Sequence, residues 1–181
     1  MRIFVDMDNT LCDFNEAAVR WFNGTLGCNK KVEELTEYEI WKNYDLYPEE
    51  GRSLNKSMFE TDGFWRNMEP LFGSLNVLKG LSKKHDIWIV SRPQYNYNCV
   101  YEKWEWVKVH LPGFEKRMIL MGDDVSCLSG DALIDDDYKR LVTFQGKRIM
   151  FRQYYNTSMY NVFGYYVHDW KEVGELFNGN L

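Results

Sequence analysis

The 181-residue sequence has no apolar run approaching the ~20 residues that a membrane-spanning helix needs. Its start lacks the basic-then-apolar layout of a signal peptide, because the strand-like run Arg2-Ile3-Phe4-Val5 begins at once. Basic charge is in short supply: 22 Lys and Arg stand against 27 Asp and Glu, a net charge of −5. That balance suits neither a membrane surface nor sequence-independent binding to a nucleic-acid polymer, which needs cations to displace counterions. The four cysteines (Cys12, Cys28, Cys99, Cys127) form no CxxC, and His85, His110 and His168 lie far from them. A zinc site of the usual spacing is therefore unsupported. Scattered cysteines in a chain without an export signal are expected to be reduced and without chemistry, and no histidine has neighbours that suggest a triad. These absences point to a soluble, cytoplasmic globular protein.

What is present is apolar and aromatic: 45% of the residues are hydrophobic and 17% are Phe, Trp or Tyr. That is enough for a packed core in one domain, or in one domain with a modest insertion. Short apolar runs at 2–6, 86–90, 117–121, 131–134 and 147–151 lack two-residue alternation and read as strands covered on both faces. Leu75, Leu78 and Leu81 repeat at helical spacing before the second run. Tyr101, Trp104, Val107 and Val109 mark a helix over 98–110, which Pro112-Gly113 stops. A last helix is expected near Asp169, with Val173 and Leu176 facing inward. The alternation predicts an α/β, doubly wound, mostly parallel sheet of Rossmann-like type. Residues 14–72 are too long for one crossover and rich in aromatics. They read as a small helical cap inserted after the first strand, with helix at 14–23 and one or two more over 30–60. The core is then 1–13 together with 73–181.

The carboxylates gather at strand ends. Asp6 closes the first strand and Asp8 follows two residues later, while Asp135, Asp136 and Asp137 follow the fourth strand. Ligands of open parallel sheets bind at the carboxyl ends of strands. Two acidic clusters meeting there repel one another unless a cation sits between them, and hard oxygen ligands of this kind suit Mg²⁺. One carboxylate could attack phosphorus, and a second two residues on could move the proton. The pattern Asp6-x-Asp8-x-Thr10 also resembles the start of an EF-hand loop. Leu11 and Ala17 stand where such a loop needs Gly and Glu, which excludes it.

The run Val5-Asp6-Met7-Asp8-Asn9-Thr10-Leu11 resembles the first motif of the haloacid dehalogenase superfamily. Ser91 in Val90-Ser91-Arg92-Pro93 resembles its second motif, and Leu133-Ile134-Asp135-Asp136 its fourth. More narrowly, Asp13-Phe14, Met68-Glu69-Pro70-Leu71, Tyr101-Glu102-Lys103 and Trp106-Val107 are similar to stretches of the 5′(3′)-deoxyribonucleotidases. The resemblance implies a Mg²⁺-dependent phosphatase of deoxyribonucleotide catabolism that hydrolyses (deoxy)ribonucleoside monophosphates through an aspartyl-phosphate. It makes Asp6 the nucleophile and Asp8 the general acid and base, the latter also a metal ligand through its backbone carbonyl. Asp136 becomes a metal ligand with Asp6, and Asp135 lies beside it as a ligand through water or as support. Ser91 would bind a phosphate oxygen, and Phe14, Trp41 and Phe59 would hold the nucleobase.

Two positions depart from that pattern. The third motif's lysine should fall near Val125, where Gly122-Asp123-Asp124-Val125-Ser126 has none; Lys103, Arg92 and Lys139 are the cations that could serve instead. Asp137 stands where the related enzymes carry Arg. A phosphatase for a non-nucleotide ester, and a phosphate-binding module without activity, stay open as alternatives. A homodimer is left open as an assembly.

Overall fold

Six parallel strands form one sheet in the computed structural model, which describes residues 1–94, 96–159 and 162–179. The strands are β1 (Arg2–Asp6), β2 (Asp86–Ser91), β3 (Met118–Leu120), β4 (Ala132–Asp135), β5 (Lys147–Phe151) and β6 (Tyr165–Val167). Their order across the sheet is β3-β2-β1-β4-β5-β6. The chain runs outward from β1 to β3, then returns to the other side of β1 and runs outward again. The order thus reverses between β1 and β4, where an open α/β sheet forms its ligand crevice. Register fixes which residues arrive there. Val5 pairs with Ile134, so Asp6 and Asp135 emerge side by side, and Asp6 pairs with Val90 just before Ser91.

Alternating side chains divide the apolar strands between two cores. Ile3, Val5, Ile87, Ile89, Ala132 and Ile134 pack on one face. Trp106 and Val107 of α4 (Tyr97–His110) and Trp170 and Val173 of α6 (Trp170–Gly179) join them there. Phe4, Val90, Leu133 and Met150 pack on the other face, with Leu141 of α5 (Tyr138–Thr143). Burial of each such side chain contributes about 1.5–3 kcal/mol, and the fully buried strand centres explain why the runs read as continuous rather than alternating. Leu78 and Leu81 of α3 (Ser74–Leu81) are buried as their spacing requires. In α6, Val173 is fully buried and Leu176 partly so.

Between β1 and α3 lie α1 (Phe14–Leu26), two 3-10 turns (Val32–Glu34 and Ile40–Asn43) and α2 (Pro48–Glu60). Asp13 caps α1 by accepting the Glu16 N–H at 3.0 Å, and Gly27 closes the helix at φ 67°, a conformation glycine adopts without a Cβ penalty. This stretch is tied down from outside. Glu102 of α4 is buried and accepts the N–H groups of Gly63 (2.7 Å) and Trp65 (3.0 Å).

The inward face of α4 differs from the apolar pattern of its sequence. Cys99, Glu102, Lys103 and Trp106 are buried, whereas Tyr101, Trp104 and Val109 are exposed. Two charged side chains occupy inward positions because each has buried polar partners waiting for it. Two elements have no counterpart in the sequence reading: α5, six residues long, and β6, three residues at the sheet edge. No helix among the described residues is long and apolar enough to cross a membrane.

Candidate active site

The ends of β1 and β4 form an acidic floor. Asp6, Asp135 and Asp136 are buried, and one carboxylate oxygen of each lies within 4.8 Å of the others. Burial pushes the Asp6 carboxyl well above the ordinary carboxylate range, and the Asp135 charge adds to the push while Arg140 opposes it. Asp136 is raised well above that range for the same two reasons, burial and then Asp135. Asp135 is raised to about 6 by burial, with Arg140 pulling the other way. Three carboxylates that resist ionising together are a donor set that a divalent cation relieves, since oxygen-rich sites of this kind suit hard cations. The cluster therefore fits a metal. The Asp8 side chain stands outside it.

Asp8 pairs instead with Lys103, Nζ to Oδ2 at 2.5 Å. The same ammonium donates to Ser91 Oγ and to the Arg92 carbonyl, both at 2.9 Å, and lies 4.5 Å from the Trp65 ring centroid. Lys103 is fully buried. Burial disfavours its cation, but Asp8 more than offsets that and its pKa lies above the usual lysine range. Asp8 Oδ1 is buried with no hydrogen-bond partner among the described residues. Position 125, where the third-motif lysine was expected, instead buries Val125 against the second core. The ammonium beside Asp8 and Ser91 is that of Lys103 on α4, one of the three cations the sequence offered. Lys139 is exposed on the pocket rim, and it makes no ion pair among the described residues.

Arginines complete the charge balance. Arg140 is 1% exposed, with Nε 2.9 Å from Asp135 Oδ2 and Nη2 3.6 Å from Asp6 Oδ1. Arg92 is clamped between Asp123 (2.5 Å) and Asp137 (2.7 Å), and donates to the Tyr38 hydroxyl at 2.8 Å. Asp137 also caps α5 through the Lys139 N–H at 2.9 Å. The acidic residue at 137 therefore anchors one arginine and starts the short helix that carries the other.

Above the floor opens a pocket of about 930 Å³. Asp6, Asp8 and Arg92 line its base, and Phe14, Trp41 and Phe59 line its upper wall. Ser91, fully buried, is reached through Lys103 rather than lining the pocket itself. All the residues singled out from the sequence thus lie in or directly behind one cavity. On α2, Pro48, Arg52, Asn55 and Phe59 recur at helical spacing on the pocket side. Gly51 lets this helix approach the Trp41 indole: a Cβ there would lie 2.3 Å from Trp41 Cε3. Phe14 and Phe59 also contact one another and Trp65, with centroids 5.1–6.3 Å apart, so they are wall and core at once.

Sequence reasoning missed Arg140, Tyr38, Asn9, Gln153, Tyr155 and Asn156. Asn9 adopts a left-handed conformation at φ 56°, which Asn tolerates better than most residues. The others sit in the short helix α5, in a 3-10 turn over Tyr154–Met159 and in loops, none with a motif. One signal was available for 153–156: a segment that follows a strand neighbouring β4 must pass the crevice.

Residues 1–179 match the family described as 5′ nucleotidase, deoxy (pyrimidine), cytosolic type C protein (NT5C). A Staphylococcus epidermidis protein named provisionally as a 5′(3′)-deoxyribonucleotidase is 29% identical over 180 residues, 98% of this chain and 96% of its own. The human cytosolic 5′(3′)-deoxyribonucleotidase is 32% identical over 142 residues, 75% of this chain and 70% of its own. Among solved structures, a Bacillus subtilis protein named provisionally as a HAD-hydrolase, bound to magnesium, superposes with a TM-score of 0.59 at 15% identity, covering 98% of each chain.

Proposed function

The chain belongs to the deoxyribonucleotide-directed 5′ nucleotidase family, NT5C, and is a phosphoric monoester hydrolase; from that premise we propose that it hydrolyses deoxynucleoside monophosphates through an aspartyl-phosphate on Asp6. The observation that carries this reading is Lys103. Its ammonium ties Asp8, after β1, to Ser91 at the end of β2, which supports reading these residues and Asp6 as one catalytic group.

Mg²⁺ would be held by Asp6 and Asp136, with Asp135 beside them and the Asp8 carbonyl as a further ligand. When bound, it supplies positive charge against the phosphate dianion and the carboxylates. An Asp6 carboxylate oxygen attacks phosphorus, and the P–O bond to the nucleoside breaks. Asp8 enters the step with a proton on its unpartnered Oδ1 while Oδ2 stays with Lys103, and gives that proton to the leaving nucleoside oxygen. Water then attacks the aspartyl-phosphate as Asp8 takes its proton, releasing phosphate and restoring Asp6. Lys103 supplies positive charge next to the phosphate, and Ser91, behind it, holds that ammonium in place. Residues 14–72 act as the cap over a core of 1–13 and 73–181, and Phe14, Trp41 and Phe59 give a flat base faces to stack on.

The test measures phosphate release from deoxynucleoside 5′- and 3′-monophosphates, ribonucleotides and sugar phosphates, with and without Mg²⁺. Deoxynucleotides should lead, and Asp6→Asn should retain under about one-thousandth of the rate with an unchanged circular dichroism spectrum. Faster turnover of sugar phosphates would move the reading to a non-nucleotide ester. Undiminished activity in Asp6→Asn would end the covalent route.

A further inference from the structure

The segment after β5 carries no recognised motif, yet it converges on the acidic floor. Gln153 Nε2 donates to the Asn9 carbonyl at 2.6 Å, and Gln153 Oε1 accepts from Asn15 Nδ2 at 3.0 Å. Asn156 Nδ2 donates to the Asp136 carbonyl at 3.0 Å and to the Phe151 carbonyl at 2.9 Å, while its Oδ1 accepts the Gln153 N–H at 2.8 Å. Between them Tyr155 donates its hydroxyl proton to Asp136 Oδ2 and accepts from Asn9 Nδ2 at 2.9 Å. The Tyr38 ring meets the Tyr155 ring edge-to-face at 5.2 Å. One chain of hydrogen bonds therefore runs from the β1 loop through the phenol to the β4 carboxylate.

An aspartate needs such help at a metal site. Its terminal torsion is broad and roughly two-fold, so an untethered carboxylate can turn either oxygen toward a cation. An O–H donor to one oxygen fixes that rotation and leaves the other oxygen for the ion. Partners behind a ligand commonly carry 10- to 100-fold in metal affinity or activity.

We propose that Tyr155, held by Asn9, is a positioning residue that sets the carboxylate of Asp136 for divalent-cation binding. The inference rests on the reading that Asp6, Asp135 and Asp136 hold Mg²⁺. Nothing in the motif pattern requires a tyrosine here; the hydrogen-bond geometry does.

The experiment titrates the metal-free protein with Mg²⁺ in a calorimeter, comparing wild type, Tyr155→Phe and Asp136→Asn. Tyr155→Phe keeps the ring against Tyr38 and removes only the hydroxyl. Its Mg²⁺ dissociation constant should rise about 10-fold or more, and at saturating Mg²⁺ its kcat should return to within a few-fold of wild type. An unchanged or tighter Mg²⁺ affinity in Tyr155→Phe, with wild type binding and Asp136→Asn not, overturns the positioning role and leaves the metal site standing. No binding by wild type, or equal binding by Asp136→Asn, overturns the metal reading and the inference with it. Should Tyr155→Phe not fold, Asn9→Ala, which frees the phenol, must weaken Mg²⁺ by several-fold, and an unchanged affinity there sinks the proposal.

Discussion

The floor and the wall of the pocket are built on opposite principles. The floor is charge held by charge and by hydrogen bonds: Asp6, Asp135 and Asp136 are buried together, Arg140 faces the first two, Tyr155 donates to the third, and Lys103 pairs with Asp8. Its partners stand within about 4 Å of one another and are cut off from water, which makes the floor intolerant of a lost group. The wall is shape against shape. Trp41 lies against the bare Cα of Gly51, and Phe14 and Phe59 lean on Trp65. Packing of that kind yields by fractions of an ångström at modest cost. A pocket made this way should lose chemistry when its floor is altered and lose affinity when its wall is altered.

Lys103→Met is the sharpest way to break that contrast. It keeps the length of the side chain and removes the ammonium from Asp8, Ser91 and the Arg92 carbonyl. Steady-state kinetics should show kcat/KM reduced by roughly 10²- to 10³-fold, mostly in kcat. A loss confined to KM would place Lys103 with the wall.

A smaller effect comes from pH. The fold raises the pKa of Asp135 to about 6 and lifts Asp6 and Asp136 in the same direction. A carboxyl raised in the folded state contributes stability that is present below its unfolded pKa near 4 and lost as pH rises through its folded pKa. The metal-free floor therefore weakens the fold between about pH 4 and pH 6 and above. Mg²⁺ binds the ionised form, so the rise in Tm on adding saturating Mg²⁺ should be larger at about pH 7.5 than at about pH 5, by roughly 5 °C. Equal shifts at both pH values would remove metal relief from the account of the floor.

Gly51→Ala probes the wall and should give the smallest change. The new Cβ cannot coexist with Trp41 where it stands. Alanine favours the helix by roughly 0.8–1 kcal/mol over glycine, but displacing the buried Trp41 costs about 1–3 kcal/mol, so stability should hold or fall slightly. KM for a deoxynucleotide should increase about three- to tenfold with kcat within twofold. An altered kcat would show that the wall reaches the chemistry.

The parts of this design that were legible in the sequence are those with local signals. Buried strands show as apolar runs, and Asp6, Asp135 and Asp136 stand at their ends. Lys103 was legible only as a candidate, because its reach from α4 to Asp8 depends on how that helix turns. The helix itself misled: its exposed Tyr101 and Trp104 resemble a core stripe, while Glu102 and Lys103 face inward to polar partners. Helix α5 has fewer than two turns and β6 three residues, too short for periodicity to declare itself. Arg140 and Tyr155 work through contacts with residues on other elements, and such contacts leave no mark on spacing.

Asp137 has one further consequence, for how this site can change over generations. The residue fixes Arg92, accepts from Tyr38 and starts the helix that delivers Arg140. An arginine in its place would strip Arg92 of one counter-ion, uncap α5 and add a third guanidinium in a single step. Positions 92, 123 and 137 are therefore bound together by charge, and an exchange at one of them alone leaves the others with an unbalanced partner.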